Sequence, residues 1–248
     1  METPSEFDKE IYEAAYDYRY LLTKRYPVKA SLDIVTARYT LSSKDRLLLY
    51  RCIHSEHYVS EINKKLFCKK LNGFKLIVDF YNILISSVNM LQKGEIYLCD
   101  DCVPRDLRGS KLRTEDSRYI EKAMKIIANV ILYLKPNSLV IVADKNISFS
   151  FNYVLRFIEI LGYENISYSY ELTSTPDKRI IEYSREEKSV IATTDSVIMT
   201  QSSLIFPLTY IIMYILKISP VYNFATLFNS VCSVCYNNLI NDINEYCK

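Results

Sequence analysis

The chain has 248 residues, 49% of them apolar and 24% charged, with a net charge of +2 at neutral pH. Such a composition can bury a sizeable core, which excludes a disordered polymer, and its near-neutrality leaves a polyanion only a local patch to meet. The four glycines form neither a G-x-G-x-x-G nor a Walker A pattern, so a nucleotide held by a glycine-rich phosphate loop is excluded as well.

The start, "METPSEFDKE", is acidic and polar, unlike a secretory signal. "SEFDKEIYEAAYDYRYLLTKRY" predicts a first helix, with Ser5 as its cap and Ile11, Ala14, Ala15, Tyr18 and Leu22 on one face. Pro27 punctuates it. "KASLDIVTARYTL" and "SSKDRLLLYRCIHS" predict two more helices, the latter capped by Ser42 or Ser43. Residues 1–72 therefore read as an all-helical N-terminal region, with Gly73 releasing the chain into a first strand.

From there the texture alternates. "FKLIVD" (74–79) predicts that strand, "ILISSVNMLQ" a helix, "EIYLC" (95–99) a short strand and "TEDSRYIEKAMKIIANVILYL" a long helix capped by Thr114. "SLVIVAD" (138–144) is a strand, "FNYVLRFIEILG" a helix stopped by Gly162, and "ISYSYEL" (166–172) a strand. "PDKRIIEYSRE" is a short helix opened by Pro176, "SVIATTD" (189–195) a strand, and the remainder helical. The expected fold is α/β: a three-layer sandwich with a mainly parallel sheet over residues 73–248, ending in a helical extension. The longest apolar run, "LIFPLTYIIMYIL", is broken by Pro207 and falls short of the roughly twenty residues a membrane span needs. We expect a buried helix there, no membrane, and a cytoplasmic location.

Three of the apolar strands end on a carboxylate: Asp79, Asp144 and Asp195. One such aspartate is ordinarily the N-cap of the next helix. Three of them are delivered to one edge if the strands are parallel neighbours, because ligands of open α/β sheets bind at the C-terminal strand ends. Clustered carboxylates repel and raise one another's pKa, and a hard divalent cation relieves this. Asp177, opening a short helix, adds a fourth from the side. Mg²⁺ or Mn²⁺ on such oxygens activates water for attack on phosphate.

The motifs "IVDFYN", "VIVAD", "TPDKRIIE" and "IATTDS" resemble, in that order, the acidic signatures of NYN domains, a branch of the PIN-like nuclease superfamily. Phe80 stands where that family usually has glycine. The chain also resembles an uncharacterised archaeal family that joins a helical region to a PIN-like domain. The resemblance covers residues 74–215 and implies that Asp79, Asp144, Asp177 and Asp195 bind Mg²⁺ or Mn²⁺ and hydrolyse RNA. A catalytically inactive PIN-like module that binds RNA or protein is the alternative. An α/β phosphatase is disfavoured, because no second aspartate stands two residues after Asp79.

The polar loop 99–113 offers Asp100, Asp101 and Asp106 as further oxygen ligands. With Asn82, its Arg105, Arg108, Lys111 and Arg113 are candidate contacts to RNA phosphates. Tyr81, Tyr168 and Tyr170 read as filler more than as base-stacking platforms, and His54 and His57 as too isolated to hold a metal. Seven cysteines suggest a reduced intracellular chain. The pairs Cys99/Cys102 and Cys232/Cys235 have zinc-like spacing, but the sheet separates them in sequence, so no shared site is expected. A homo-oligomer is compatible with the sequence, which identifies no protein partner.

Overall fold

The computed structural model describes residues 6–108, 112–162, 166–230, 236 and 239–240. Four helices come first: α1 (Glu6–Thr23), α2 (Val28–Arg38), α3 (Ser43–Cys52) and α4 (Glu56–Lys65). Strand β1 (Lys75–Asp79) leads into α5 (Phe80–Leu91), followed by two short strands, β2 (Tyr97–Leu98) and β3 (Pro104–Arg105). A 3-10 turn at Thr114–Asp116 opens onto α6 (Ser117–Leu134), then β4 (Ser138–Asp144), α7 (Ser150–Leu161) and β5 (Ser167–Thr173). The chain continues through α8 (Pro176–Ser184), β6 (Ser189–Ala192), α9 (Ser196–Gln201), α10 (Leu208–Ile215) and α11 (Phe224–Leu227).

Two compact units result. The first gathers Met1–Lys64, Glu95–Leu107 and Pro220–Cys232; the second gathers Lys65–Gly94, Arg108–Ser219 and Ser233–Lys248. The helical unit thus draws in two later stretches that a boundary at residue 72 leaves out. Among the described residues, no helix is long and apolar enough to cross a membrane.

In the first unit, Ile11, Ala14, Ala15 and Tyr18 bury the expected face of α1 against Leu32, Leu48 and Leu49. Pro27 takes the N-cap position of α2, and Ser42 and Asp45 form a capping box at α3, with Asp45 N–H donating to Ser42 Oγ at 3.2 Å. Ser42→Ala is expected to cost about 1 kcal/mol, readable as a lower denaturation midpoint with an unchanged slope. The cap of α3 is therefore Ser42, not Ser43, and Ser5 lies outside the described residues. The strand expected at 95–99 is only the two-residue β2, paired antiparallel with β3 inside this unit and not with the parallel sheet. Cys52 and Cys99 are joined as a disulfide, and Cys102 is disulfide-bonded too, against the expectation of reduced thiols throughout.

In the second unit, four parallel strands stand in the order β5-β4-β1-β6. Leu76, Ile77 and Val78 of β1 are wholly buried, as a central strand covered on both sides requires. The route from β4 outward to β5 through α7 runs opposite to the return from β5 past β1 to β6 through α8. Right-handed crossovers therefore put α7 and α8 on opposite faces, giving three layers. Ile77, Val140, Val142 and Ile191 meet Ile180 of α8 and Ile198 of α9 on one of those faces. Gly73 enters β1 at φ +81°, a left-handed conformation that favours glycine. Thr114 begins the 3-10 turn but does not cap α6; Asp116 takes that N-cap position without a side-chain capping bond, its buried carboxylate instead accepting the Arg113 N–H at 2.6 Å across the 3-10 turn. The apolar run 204–216 contributes the eight-residue α10, with Ile205 bridging to Leu66 and Ile191.

Candidate functional site

Strand direction puts the ends of β1, β4 and β6 at one edge. The order reverses between β1 and β6, since the chain steps from β1 to β4 and β5 on one side and then returns to β6 on the other. Asp79 is the last residue of β1 and pairs in register with Val142, so Asp144 lies two residues further along β4. Ala192 pairs with Val78, which brings Thr193 level with Asp79 and Asp195 just beyond it. Asp177 lies in the first turn of α8, directly after β5.

The local bonds differ from one aspartate to the next. Asp79 occupies the N-cap position of α5 without a side-chain capping bond; its Oδ2 instead accepts from Thr193 Oγ1 at 2.7 Å. Asp195 does cap α9, with Oδ1 accepting from the Val197 and Ile198 N–H groups at 2.8 and 3.1 Å. Asp144 Oδ1 accepts from Asn146 N–H at 2.8 Å in a tight turn. An ionised carboxylate has about four acceptor sites, so bonds of this number leave each one able to take a ligand.

Their charges are felt mutually. Burial is the main cause that lifts the Asp79 pKa to about 7; the Asp177 and Asp195 carboxylates add to it, and the Thr193 hydroxyl works against it. Asp177 is raised too, through burial first and then through Asp195 and Asp144. The donor set is all hard oxygen, and its repulsion is of the kind a divalent cation removes, so the residues fit Mg²⁺ or Mn²⁺. Among the described residues, however, no three of these four have ligand atoms all within 4.8 Å of one another; that spacing is met by His54, Asp100 and Asp101 of the first unit.

Several expected ligands are engaged elsewhere. Asp101 takes a two-pronged bond from Arg105, at 2.8 and 2.6 Å, and both side chains are buried. Burial works against the Asp101 carboxylate, but the Arg105 guanidinium outweighs it and holds the pKa below its ordinary value. Asp100 accepts from the His54 N–H at 2.8 Å and meets His54 Nδ1 at 2.7 Å, with Arg19 at 3.6 Å. His54 is thus not isolated, as the sequence suggested. Arg105 cannot reach an outside phosphate without breaking its pair. Arg108 is likewise buried, on Asp116 and on Gln92 Oε1 at 3.1 Å. Arg113 is exposed, 3.7 Å from Glu115, and Lys111 lies outside the described residues. Asn82 Oδ1 accepts from both the N–H and the Oγ1 of Thr194, at 2.8 and 2.9 Å, so its role is to fix the turn leading to Asp195.

Sequence reasoning passes over Thr193 and Thr194, although they stand beside Asp195 in the same "TTD". It also misses Glu171, whose carboxylate accepts from Arg179 Nε at 2.6 Å and Nη2 at 3.0 Å and ties α8, with Asp177, to β5. Charged residues in an alternating edge strand are the available signal. Tyr81 is buried in the core; Tyr170 is 42% exposed.

The second unit is therefore a parallel α/β domain with an acidic edge, preceded in sequence by a helical region. The chain belongs to the family described as a domain of unknown function, DUF5616, which matches residues 68–211; residues 10–65 match a second family, described as a protein of unknown function, DUF434. It is 29% identical over 192 residues to "Uncharacterized protein MJ0935" of Methanocaldococcus jannaschii, an alignment covering 76% of this chain and 88% of the relative. No solved structure matches the chain.

Proposed function

We propose that the second unit is a PIN-like nuclease domain of the cytoplasm that hydrolyses single-stranded RNA with Mg²⁺ or Mn²⁺. The observation that carries this reading is the delivery of Asp79, Asp195 and Asp177 to the same edge at the reversal point of the sheet, where burial first and the two neighbouring carboxylates second raise the Asp79 pKa to about 7. A bound divalent ion supplies a nucleophilic water and stabilises charge on the phosphate. The protein's part is positional. Asp79, Asp144, Asp177 and Asp195 would hold the ion, Thr193 orients Asp79, and Asn82 fixes the turn before Asp195. The Glu171–Arg179 pair keeps α8 in place so that Asp177 can contribute.

Single strands are favoured over duplex by the aromatic surface after β4. Phe149 is 71% exposed and Phe151 49% exposed, five and seven residues beyond Asp144, and aromatic faces of this kind stack on unpaired bases. The test is a panel of labelled RNAs, single-stranded and duplex, incubated with Mg²⁺, Mn²⁺ or EDTA. Cleavage of single strands that stops in EDTA supports the reading; no cleavage with either ion removes it.

The inactive module remains as a second reading, favoured by one observation: Arg105 and Arg108, the expected phosphate contacts, are spent on internal carboxylates. Binding of RNA or a protein without cleavage under any divalent ion would select it.

A further inference from the structure

The turn 99–103 of the first unit is buried throughout: Cys99, Asp100, Asp101 and Cys102 have no exposed surface and Val103 has 2%. Connecting segments seldom run through a protein interior, because their polar groups need partners there. Here the carboxylates find them in His54, Arg19 and Arg105. The cysteines on either side of those carboxylates are held just as closely. Cys102 has φ +70° and donates its N–H to the Cys99 carbonyl at 3.0 Å, which folds C-x-x-C into a single turn. Cys52, the last residue of α3, lies with its Cα 4.3 Å from that of Cys99, and its carbonyl accepts the Asp100 N–H at 3.1 Å. Three buried cysteines, from the end of α3 and from one turn, therefore lie close along the backbone.

We propose that in the fully reduced protein Cys52, Cys99 and Cys102 form a thiolate site for a zinc ion. Soft sulfur ligands at C-x-x-C spacing select Zn²⁺ over Mg²⁺ or Mn²⁺, which separates this site chemically from the all-oxygen edge of the second unit. The Cys52–Cys99 disulfide is the oxidised, metal-free state of two of these residues, and Cys102 is held in that state by a disulfide to a cysteine outside the trio. A dithiol reductant opens each disulfide by supplying two electrons and two protons, and leaves as its own disulfide. Zn²⁺ then displaces the thiol protons of the three cysteines to solvent and gains three sulfur bonds. The apparent obstacle raised by the sequence, a sheet lying between the two C-x-x-C pairs, is weaker than it looked. Ser230 Oγ donates to the Asp100 carbonyl at 2.6 Å, so the stretch of chain leading to the second pair reaches this turn. Cys232 and Cys235 lie outside the described residues and are not assigned to the site.

The experiment uses the full chain, reduced with a dithiol under anaerobic conditions, stripped with chelator and desalted. It is titrated with Co²⁺ as a spectroscopic probe, and Zn²⁺ is then added in competition. The expected result is sulfur-to-cobalt charge-transfer absorption that saturates at one equivalent and is bleached by Zn²⁺. Cys99→Ser and Cys102→Ser should each lose that band. Because a serine variant can misfold, the wild type is also treated with a thiol-alkylating reagent, with Zn²⁺ and with chelator, and its peptides are read by mass spectrometry. Cys52, Cys99 and Cys102 should be protected by Zn²⁺ and modified in chelator. The proposal is overturned if the reduced wild type gives no charge-transfer band, or if Zn²⁺ protects other cysteines and leaves these three to react.

Discussion

Asp195→Asn is expected to slow metal-dependent RNA cleavage by at least about a hundredfold while leaving the fold intact. The two halves of this expectation rest on different atoms. Asp195 Oδ1 caps α9 through the N–H groups of Val197 and Ile198, and an asparagine oxygen caps a helix about as well as a carboxylate. The change therefore removes charge from the acidic edge without removing the cap. Asp195→Ala, in contrast, should cost about 1 kcal/mol of stability in addition to activity, because those N–H groups lose their partner. Wild type and both variants, purified side by side, are compared in an initial-rate assay on labelled single-stranded RNA and in thermal melts. Equal rates for wild type and Asp195→Asn would mean that the carboxylate does no more than cap its helix.

Asp79→Asn should act on stability in a way that depends on pH and reverses with metal. The folded pKa is about 7 against an ordinary 3.8, so the folded state holds this proton more tightly than the unfolded state does. Stability from that difference is fully present below about pH 4 and is lost as pH rises through 7. Three pH units at about 1.4 kcal/mol each set an upper bound of about 4 kcal/mol of folding free energy forfeited at pH 8. Asparagine carries no charge to bury, and its side-chain oxygen still accepts from Thr193. In chelator at pH 8 the variant should therefore be more stable than wild type, with the gap closing toward pH 4. Added Mn²⁺ should stabilise the wild type and not the variant. Denaturation curves at the two pH values decide the matter; a variant less stable than wild type at pH 8 in chelator would identify Asp79 as an ordinary structural group.

The acidic edge was legible because its carriers are. Leu76–Val78, Leu139–Ala143 and Val190–Ala192 are apolar runs that have to be buried, so the carboxylate closing each one falls where the run leaves the core. Right-handed crossovers constrain how such a sheet is wound, but the strand order β5-β4-β1-β6 is a finding of the structure. What the sequence hid was pairing. Arg105 and Asp101 are four residues apart in a stretch that looks like a solvated loop, and nothing in their spacing says that both are buried. Arg108 and Asp116, eight apart, pose the same problem. A run of mixed charge reads identically whether its members face water or one another. Two-residue strands such as β2 and β3 are similarly mute, since so short a pattern specifies no partner. The burial of Cys99 and Cys102 had no local sign either; it depends on helices contributed from a distant part of the chain.

The first unit is assembled from three separated stretches, and this has a consequence for the order of events on the ribosome. When residues 1–72 have been made, α1 to α4 exist in full, but the core of the unit still lacks Tyr97, Cys99, Tyr222 and Phe224, the last of them in α11. The first two arrive only after β1 and α5 have been synthesised, and the last two only after every strand of the sheet. Closing that core over so long a contour makes it a slow, late step of folding, although its first stretch precedes the sheet in sequence. A nascent chain stalled anywhere in the sheet would have α1 packed on α2 and α3 but would lack the cover that Tyr222 and Phe224 supply. The stretch near residue 224, remote from the first helices in sequence, is thus what closes the core of the first unit.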